Sequence, residues 1–262
     1  MPSAADVARR AKRIPLRDFF RNPEQATFQL SPDGNSIAFL QPHENRMNVF
    51  VRPRAGGPAV RITSETDRDV AGYFWKGSRR IVYLKDFKGD ENFHLVSVDS
   101  DGKNLVDLTP FDKVRAMIID DRYDDDGEIL VALNKRNPEV FDVYRIDLNS
   151  KELTLLAENP GNITAWITDH AGRIRLAIAT DGVNNSIMHR ADDNSAFATV
   201  ITTNFRQQIS PLFFDFDNKL LFAASNIDRD KAAIVRVDPT TAKEESLIFE
   251  HPEVDVGGLD WS

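Results

Sequence analysis

Side chains able to do acid–base or nucleophilic chemistry are few and widely spaced in this sequence. None of the five histidines has zinc-protease spacing or adjoins a nucleophile motif: His43, His94, His170, His189 and His251. The chain has no Gly-x-Ser-x-Gly elbow, no cysteine and no glycine-rich phosphate loop ahead of a helix. We therefore expect no catalytic residue, no metal site and no cofactor, and we interpret the histidines as turn or strand-surface residues.

The densest group of carboxylates is the run from Asp120 to Glu128. An EF-hand calcium loop needs an oxygen ligand five residues before its glycine, and relative to Gly127 that position is Arg122. The run is therefore predicted to be a solvated turn.

The elements that position these residues repeat along the chain. In the first repeat, Pro32 presets φ, Asp33 bonds its own backbone and Gly34 accepts a positive φ, which makes a tight turn between two strands. The same pattern recurs at intervals of 43 to 50 residues, with turn marks at Gly34, Gly77, Gly127, Gly172 and Asn218. Two more strand-like runs follow each turn, so the repeat holds four strands.

Four short strands every forty-odd residues is the spacing of a β-propeller blade. The alternative, an evenly spaced β-sandwich, gives no reason for a four-strand period. We predict an all-β propeller with five complete blades: 26–63, 70–109, 114–157, 162–202 and 210–249. Val254–Trp261 is predicted to be the first strand of a sixth blade, and since Ser262 precedes the next turn mark, the expectation is a ring truncated inside the propeller. Unpaired edges of such an open ring are expected to favour self-association.

Composition narrows the class of protein further. The chain is 41% hydrophobic and 28% charged, with a formal net charge of −8, so a phosphate-binding surface for nucleic acid is not expected. No apolar run is long enough to span a membrane. Residues 1–25 form a basic lead-in, in which Ala4–Ala11 is predicted to form a short helix. The basic and then aromatic segment Arg9–Arg17 with Phe19 and Phe20 is predicted to be a short helix that packs on a neighbouring domain, the alternative being a membrane surface. We see no signal peptide, and a cytoplasmic or a periplasmic location stays open.

Three segments resemble one family. Ser31–Phe39 is similar to the first-blade signature of the N-terminal propellers of prolyl oligopeptidase-family serine peptidases. Lys88–Leu95 is similar to the second-blade segment of these propellers, especially in acylaminoacyl-peptidase-like and dipeptidyl-aminopeptidase-like members. Pro15–Phe20 is similar to the segment that leads into them. The Ser-Pro-Asp-Gly element alone is weak, because TolB-like propellers share it, whereas its combination with Gly-Asp-Glu-Asn is more specific.

The resemblance implies a seven-bladed propeller on a C-terminal α/β-hydrolase domain that carries the Ser, Asp and His triad. By that resemblance, 26–262 is an incomplete propeller that covers the active site and restricts access to short peptides, with the hydrolase domain and those peptides as partners. The alternative is a stand-alone TolB-like propeller that binds other proteins.

One segment is a candidate binding site. The connection from Asp86 to Phe93 joins the second and third strands of blade two, and its turn at Gly89 lets Asp90, Glu91 and Asn92 project beyond the sheet. In the similar peptidases a glutamate in this segment lies near the substrate's entry. We predict that these residues contact substrate or the catalytic domain, the alternative being an ordinary solvated acidic loop.

Overall fold

The computed structural model describes residues 14–259 of the chain. These residues form β-strands and one single-turn 3-10 helix, Leu16–Phe19, which buries none of its residues. The helix predicted over Ala4–Ala11 lies outside the described residues. Among the described residues, no helix is long and apolar enough to cross a membrane.

The strands form five four-stranded sheets in which chain neighbours are also sheet neighbours. Sheet 1 contains β1 (Ala26–Leu30), β2 (Ser36–His43), β3 (Arg46–Pro53) and β4 (Val60–Arg61). Sheet 2 contains β5 (Gly72–Lys76), β6 (Arg80–Lys85), β7 (His94–Asp99) and β8 (Val106–Asp107). Sheet 3 contains β9 (Ala116–Asp120), β10 (Glu128–Asn137), β11 (Val140–Asp147) and β12 (Leu153–Ala157). Sheet 4 contains β13 (Ile163–Thr168), β14 (Ile174–Thr180), β15 (Asn185–His189) and β16 (Ala198–Thr203). Sheet 5 contains β17 (Ile209–Phe214), β18 (Leu221–Ser225), β19 (Ala233–Val237) and β20 (Glu244–Phe249). The predicted all-β fold with five four-stranded blades is confirmed.

The turns between the first two strands follow the predicted chemistry in four of the five sheets. Gly34 has φ of 70° and donates its N–H to Ser31 O at 2.8 Å, while Asp33 Oδ1 accepts the N–H of Asn35 at 3.1 Å. Gly172 and Asn218 also have positive φ, at 72° and 59°. Gly127 does not, and its N–H is held by Asp125 Oδ1 at 2.7 Å.

By its contacts the chain divides into two compact units. Described residues up to Gly89, with Ser97–Leu105, form the first unit, and Asp90–Val96, with the residues from Val106 onward, form the second. The predicted division into a lead-in, 1–25, and a propeller, 26–262, stays a prediction.

Within the first unit, the opening strands of sheets 1 and 2 are joined by side chains. Gln29 Nε2 donates to Tyr73 O at 2.8 Å, and the Tyr73 hydroxyl donates to Thr27 O. Phe39 and Tyr83 are almost wholly buried. A buried aromatic ring of this size contributes about 2 kcal/mol by leaving water, so these residues stabilise the unit.

Within the second unit, one core cluster lies between sheets 4 and 5 and another between sheets 3 and 4. The period of two along each strand places one face of β18 and one of β19 in the core, where Leu221, Ala223 and Val235 pack with Leu176 of β14. These four residues are fully or almost fully buried. Sheet packing, which the turn pattern alone does not show, therefore decides which face of each strand is buried.

The segment after β20 differs from its prediction. No strand forms among residues 250–259, and Trp261 lies outside the described residues. Instead, Val256 N donates to Ala232 O at 2.9 Å and Asp255 Oδ1 accepts the Ala232 N–H at 2.7 Å. Two bonds do not make a strand ladder, because a strand needs a partner that continues beside it. The predicted self-association of open sheet edges stays a prediction.

Candidate functional site

The predicted site segment lies between β6, which ends at Lys85, and β7, which begins at His94. Its backbone reverses through three left-handed residues: Lys88, Gly89 and Glu91, with φ of 55°, 82° and 59°. Left-handed backbone is strained for residues with a Cβ, and strained residues cluster at binding sites. The sequence analysis predicted the turn at Gly89 but not the left-handed backbone of Glu91.

Asp90 organises the turn that presents Glu91. Asp90 Oδ1 accepts the N–H of Asn92 at 3.1 Å, and Oδ2 accepts its side-chain amide at 3.2 Å. Asn92 is half-buried, and both its backbone N–H and its side-chain amide are hydrogen-bonded, whereas Glu91 is exposed. Within residues 14–259 the Glu91 carboxylate has no hydrogen bond or ion pair. Of the three predicted residues, Glu91 is the one whose charged group is available to a ligand.

In the first unit, the start of the same segment carries a buried carboxylate that the sequence analysis did not single out. The Asp86 side chain is 4% exposed, and its Oδ1 lies 3.7 Å from Nε of Arg68. The Arg68 guanidinium lies over Gly89, where an added Cβ would meet its Cζ at 3.6 Å. A Cβ at this distance would make an ordinary van der Waals contact, so the φ of 82° and not a lack of space favours glycine at position 89, and Asp86 pairs with the guanidinium.

In the second unit, Arg115 and Lys135 are among the cations that lie over aromatic rings. The Arg115 guanidinium is 5.6 Å from the ring centroid of Phe93, at the end of the predicted segment, and the Lys135 ammonium is 4.0 Å from that of Phe111. The Phe93 carbonyl accepts the N–H of Ala116 at 2.8 Å, so the segment runs beside the start of β9. Sequence reasoning missed both cations, because each ring lies more than twenty residues before its cation.

The remaining groups weighed from the sequence have structural partners. Arg122, which ruled out the EF-hand, is buried, donates through Nη1 to His170 O at 3.1 Å, and lies 3.4 Å from Glu128 Oε1 through Nε. Arg122 is thus the buried residue of the acidic run, whereas Tyr123, Asp124 and Asp126 are exposed, as in the predicted solvated turn. Among the described residues, no group of three or more His, Asp or Glu side chains is placed to hold a metal ion.

The histidine interpretation is wrong for His94. This residue lies in β7 with 8% exposure, and its Nδ1 is 2.8 Å from Asp107 Oδ2. It is a buried, hydrogen-bonded strand residue, since the neighbouring strand supplies a polar partner that the sequence position does not reveal.

Comparison with known proteins identifies relatives of the chain. It is 33% identical over 267 residues to dipeptidyl aminopeptidase BIII of Pseudoxanthomonas mexicana, a match that covers 98% of this chain and 38% of the relative. It is 21% identical to dipeptidyl peptidase family member 6 of Caenorhabditis elegans, covering 94% of this chain and 36% of the relative. No protein-family model matches the chain.

A solved structure shows the same fold. Dipeptidyl peptidase 4 of Porphyromonas gingivalis superposes with a TM-score of 0.59 at 12% identity, over 87% of this chain and 40% of that one. At this identity the likeness establishes the fold alone.

The sheets and these matches first define the class: an all-β chain of the propeller type found in prolyl oligopeptidase-family peptidases. More specifically, the chain is homologous to dipeptidyl aminopeptidases, and the resemblance drawn from its motifs is confirmed. It spans well under half the length of these relatives, a share that fits an N-terminal domain.

Proposed function

We propose that this chain is the propeller domain that covers and gates the active site of a prolyl oligopeptidase-family serine peptidase acting on short peptides. In this proposal an α/β-hydrolase domain supplies the catalytic triad, residues 26–262 form the propeller domain, and the basic lead-in, 1–25, packs on the hydrolase domain.

The observation that carries the proposal is the identity of 33% over 98% of the chain with a dipeptidyl aminopeptidase more than twice as long. The sequence itself is consistent with a non-catalytic role, because no Gly-x-Ser-x-Gly elbow places any of its serines as a nucleophile.

Glu91 is the residue we propose to contact the substrate or the hydrolase domain, with Asp90 and Asn92 shaping the turn that presents it. A free carboxylate at the end of a sheet binds an ammonium or a guanidinium through a charge-assisted hydrogen bond. The support for this role is the exposure of Glu91, its left-handed backbone and its lack of a partner among the described residues.

The first test compares two proteins: the chain alone, and a joined protein in which the chain is fused to an α/β-hydrolase domain of the kind that we propose as its partner. With dipeptidyl and acylaminoacyl chromogenic substrates, the chain alone should match buffer, because it lacks the elbow and base that activate a serine. The joined protein should hydrolyse short peptides and reject long ones. Turnover by the chain alone that a serine-directed inhibitor abolishes would overturn the proposal, and so would equal rates on short and long peptides in the joined protein.

The second test is Glu91→Gln in the joined protein. We expect kcat/KM for short peptides to fall about tenfold, the loss of one charge-assisted contact of about 1.4 kcal/mol. Glu139→Gln is the matched control, because Glu139 is an exposed carboxylate on the corresponding connection of sheet 3. Unchanged kinetics for Glu91→Gln over a panel of peptides would leave Glu91 as a surface residue.

A further inference from the structure

The connection between sheets 1 and 2, residues 62–71, runs beside the start of the segment that carries Glu91. It follows β4 and precedes β5. The Tyr83 hydroxyl donates to Glu65 Oε1 at 2.9 Å, and the Lys85 ammonium donates to Glu65 Oε2 at 3.0 Å. These bonds fasten the connection to the end of β6, where the segment begins.

Two residues of β3 fix the backbone of this connection. The fully buried Asn48 accepts the Glu65 N–H at 2.8 Å through Oδ1 and donates to Glu65 O at 2.9 Å through Nδ2. Further along, Met47 N donates to Asp69 Oδ1 at 2.9 Å. Arg68 lies between these two anchored residues, so its backbone is held in place.

From this fixed position the Arg68 side chain spans the turn of the segment. Its Nε lies 3.7 Å from Asp86 Oδ1, and its Cζ and Nη1 lie 3.6 Å from the point where a Cβ on Gly89 would stand. Asp86 opens the segment, and Gly89 forms its turn with φ of 82°. One guanidinium therefore lies against both the start and the turn of the segment, two residues before Glu91.

The Asp86 carboxylate depends on this guanidinium. Its side chain is 4% exposed, and its Oδ2 is buried without a hydrogen-bond partner among residues 14–259. Its ion-pair partner in the same part of the chain is Arg68. Because a buried carboxylate that loses its cation is costly, removal of Arg68 should turn Asp86 out toward water and displace the turn that follows it.

We propose that Arg68 is a positioning residue for the binding segment: it neutralises Asp86, holds the turn at Gly89 and thereby sets the place of the Glu91 carboxylate. A residue of this kind changes affinity without touching the ligand, because a displaced carboxylate loses its hydrogen-bond geometry. The binding role of Glu91 rests on the proposed function, whereas the hold of Arg68 on the turn does not.

The first measurement is the rate at which trypsin cleaves the chain after Lys88, which lies inside the turn. Cleavage requires the turn to open, so its rate reports local opening. We expect Arg68→Gln to speed cleavage about fivefold, the effect of losing one partly exposed ion pair. Adding Asp86→Asn to that variant should reverse most of the change, because the buried charge is then gone. Each rate is divided by that of the matching unfolded peptide.

Arg206→Gln is the matched control. Arg206 is an exposed cation in the corresponding connection between β16 and β17, and its guanidinium lies over the Phe205 ring at 5.4 Å. Cleavage after Lys88 should be as slow in this variant as in the wild type. Urea denaturation should show that all the variants are folded.

The second measurement is a double-mutant cycle in the joined protein. Arg68→Gln should raise KM for short peptides about fivefold and leave kcat unchanged, as expected for groups that act together. In a chain that already carries Glu91→Gln, it should have no further effect, because no carboxylate is left to position.

The inference is overturned by unchanged cleavage in Arg68→Gln, by an equal increase in Arg206→Gln, or by the lack of a reversal with Asp86→Asn. Additive effects of Arg68→Gln and Glu91→Gln on KM would also overturn it, since Arg68 would then not act through Glu91. If Glu91→Gln alone leaves the kinetics unchanged, the proposed role of Glu91 fails, and the cleavage rates still decide whether Arg68 holds the turn.

Discussion

The two ends of the sheets are built differently. At the end that carries the turns between first and second strands, neighbouring sheets are tied together. Asp33 N donates to Ser78 Oγ at 3.0 Å in the first unit, and in the second unit His170 N donates to Asn218 Oδ1 at 2.9 Å. Arg122 adds its bond to His170 O there. Most of the hydrogen-bonding side chains at this end have their partners within the protein.

At the other end, some connections between second and third strands are held by hydrogen bonds among their own residues. Asp181 accepts hydrogen bonds from Asn184 and Val183, which lower the pKa of Asp181 to about 2. Asp90 likewise holds Asn92. These local turns leave Glu91, Arg115 and Lys135 with charged groups that no described residue neutralises.

The difference separates stability from recognition. Charged groups that are buried and paired cost stability when one partner is removed, whereas exposed free charges cost the fold little and remain available to a ligand. The end with the first turns therefore mainly holds sheets together, whereas the opposite end combines the pair of Arg136 and the buried Asp142 with exposed charges that are available to a ligand.

The largest effect is expected for Asp169→Ala at the tied end. The Asp169 side chain is fully buried and accepts bonds from Arg173 at 2.6 Å and Arg175 at 3.4 Å. Removing it leaves Arg175, itself 13% exposed, without its carboxylate, and the free energy of unfolding should fall by about 3 kcal/mol. Urea denaturation measures this. Asp181→Ala at the opposite end is the control, and losses of equal size would remove the distinction between the ends.

A smaller loss of stability is expected when alanine replaces either of two glycines, one at each end of the sheets. Gly172 and Gly182 both have positive φ, at 72° and 90°, but an added Cβ on Gly172 would lie 2.6 Å from Arg122 Nε, whereas nothing lies within 4 Å at Gly182. Alanine should cost about 1 kcal/mol at Gly182 from backbone strain alone, and about 1–3 kcal/mol more at Gly172 because buried Arg122 must move. Thermal unfolding of the two variants tests this, and an equal cost would mean that the tied end is not tightly packed.

The smallest effect concerns pH. Burial, with a contribution from Arg175, lowers the pKa of His189 from its ordinary value of 6.5, and Arg175 Nη2 lies 3.0 Å from its Nε2. The unfolded chain takes up this proton first as pH falls, so His189 makes stability decline below about pH 6.5 and has no such effect above it.

His189→Gln should flatten that part of the pH profile. Unfolding free energies of variant and wild type, measured from pH 5 to pH 8, give the slope, and pH 8 serves as the reference because the imidazole is then neutral in both states. An unchanged slope would show that His189 does not carry the dependence.

Much of the fold was predictable because its signals are local. Pro32, Asp33 and Gly34 specify a turn by their own backbone preferences, and the recurrence of that turn gives the four-strand period. The position of Glu91 in an exposed connection followed from the same reasoning. The sixth-blade strand was not formed among the described residues, since pairing depends on a neighbour that a strand-like pattern does not supply.

The sequence by itself determined the all-β class, the five four-stranded units and the lack of a nucleophile elbow, because these depend on residue type and short spacing. Only the tertiary structure decided which charges are free. Arg115 and Arg136 look alike in the sequence, yet one lies over the Phe93 ring and the other is bound to buried Asp142. The reason is physical: a charge is neutralised or left available by what packing brings within a few ångströms, and partners distant in the sequence meet only when the sheets form.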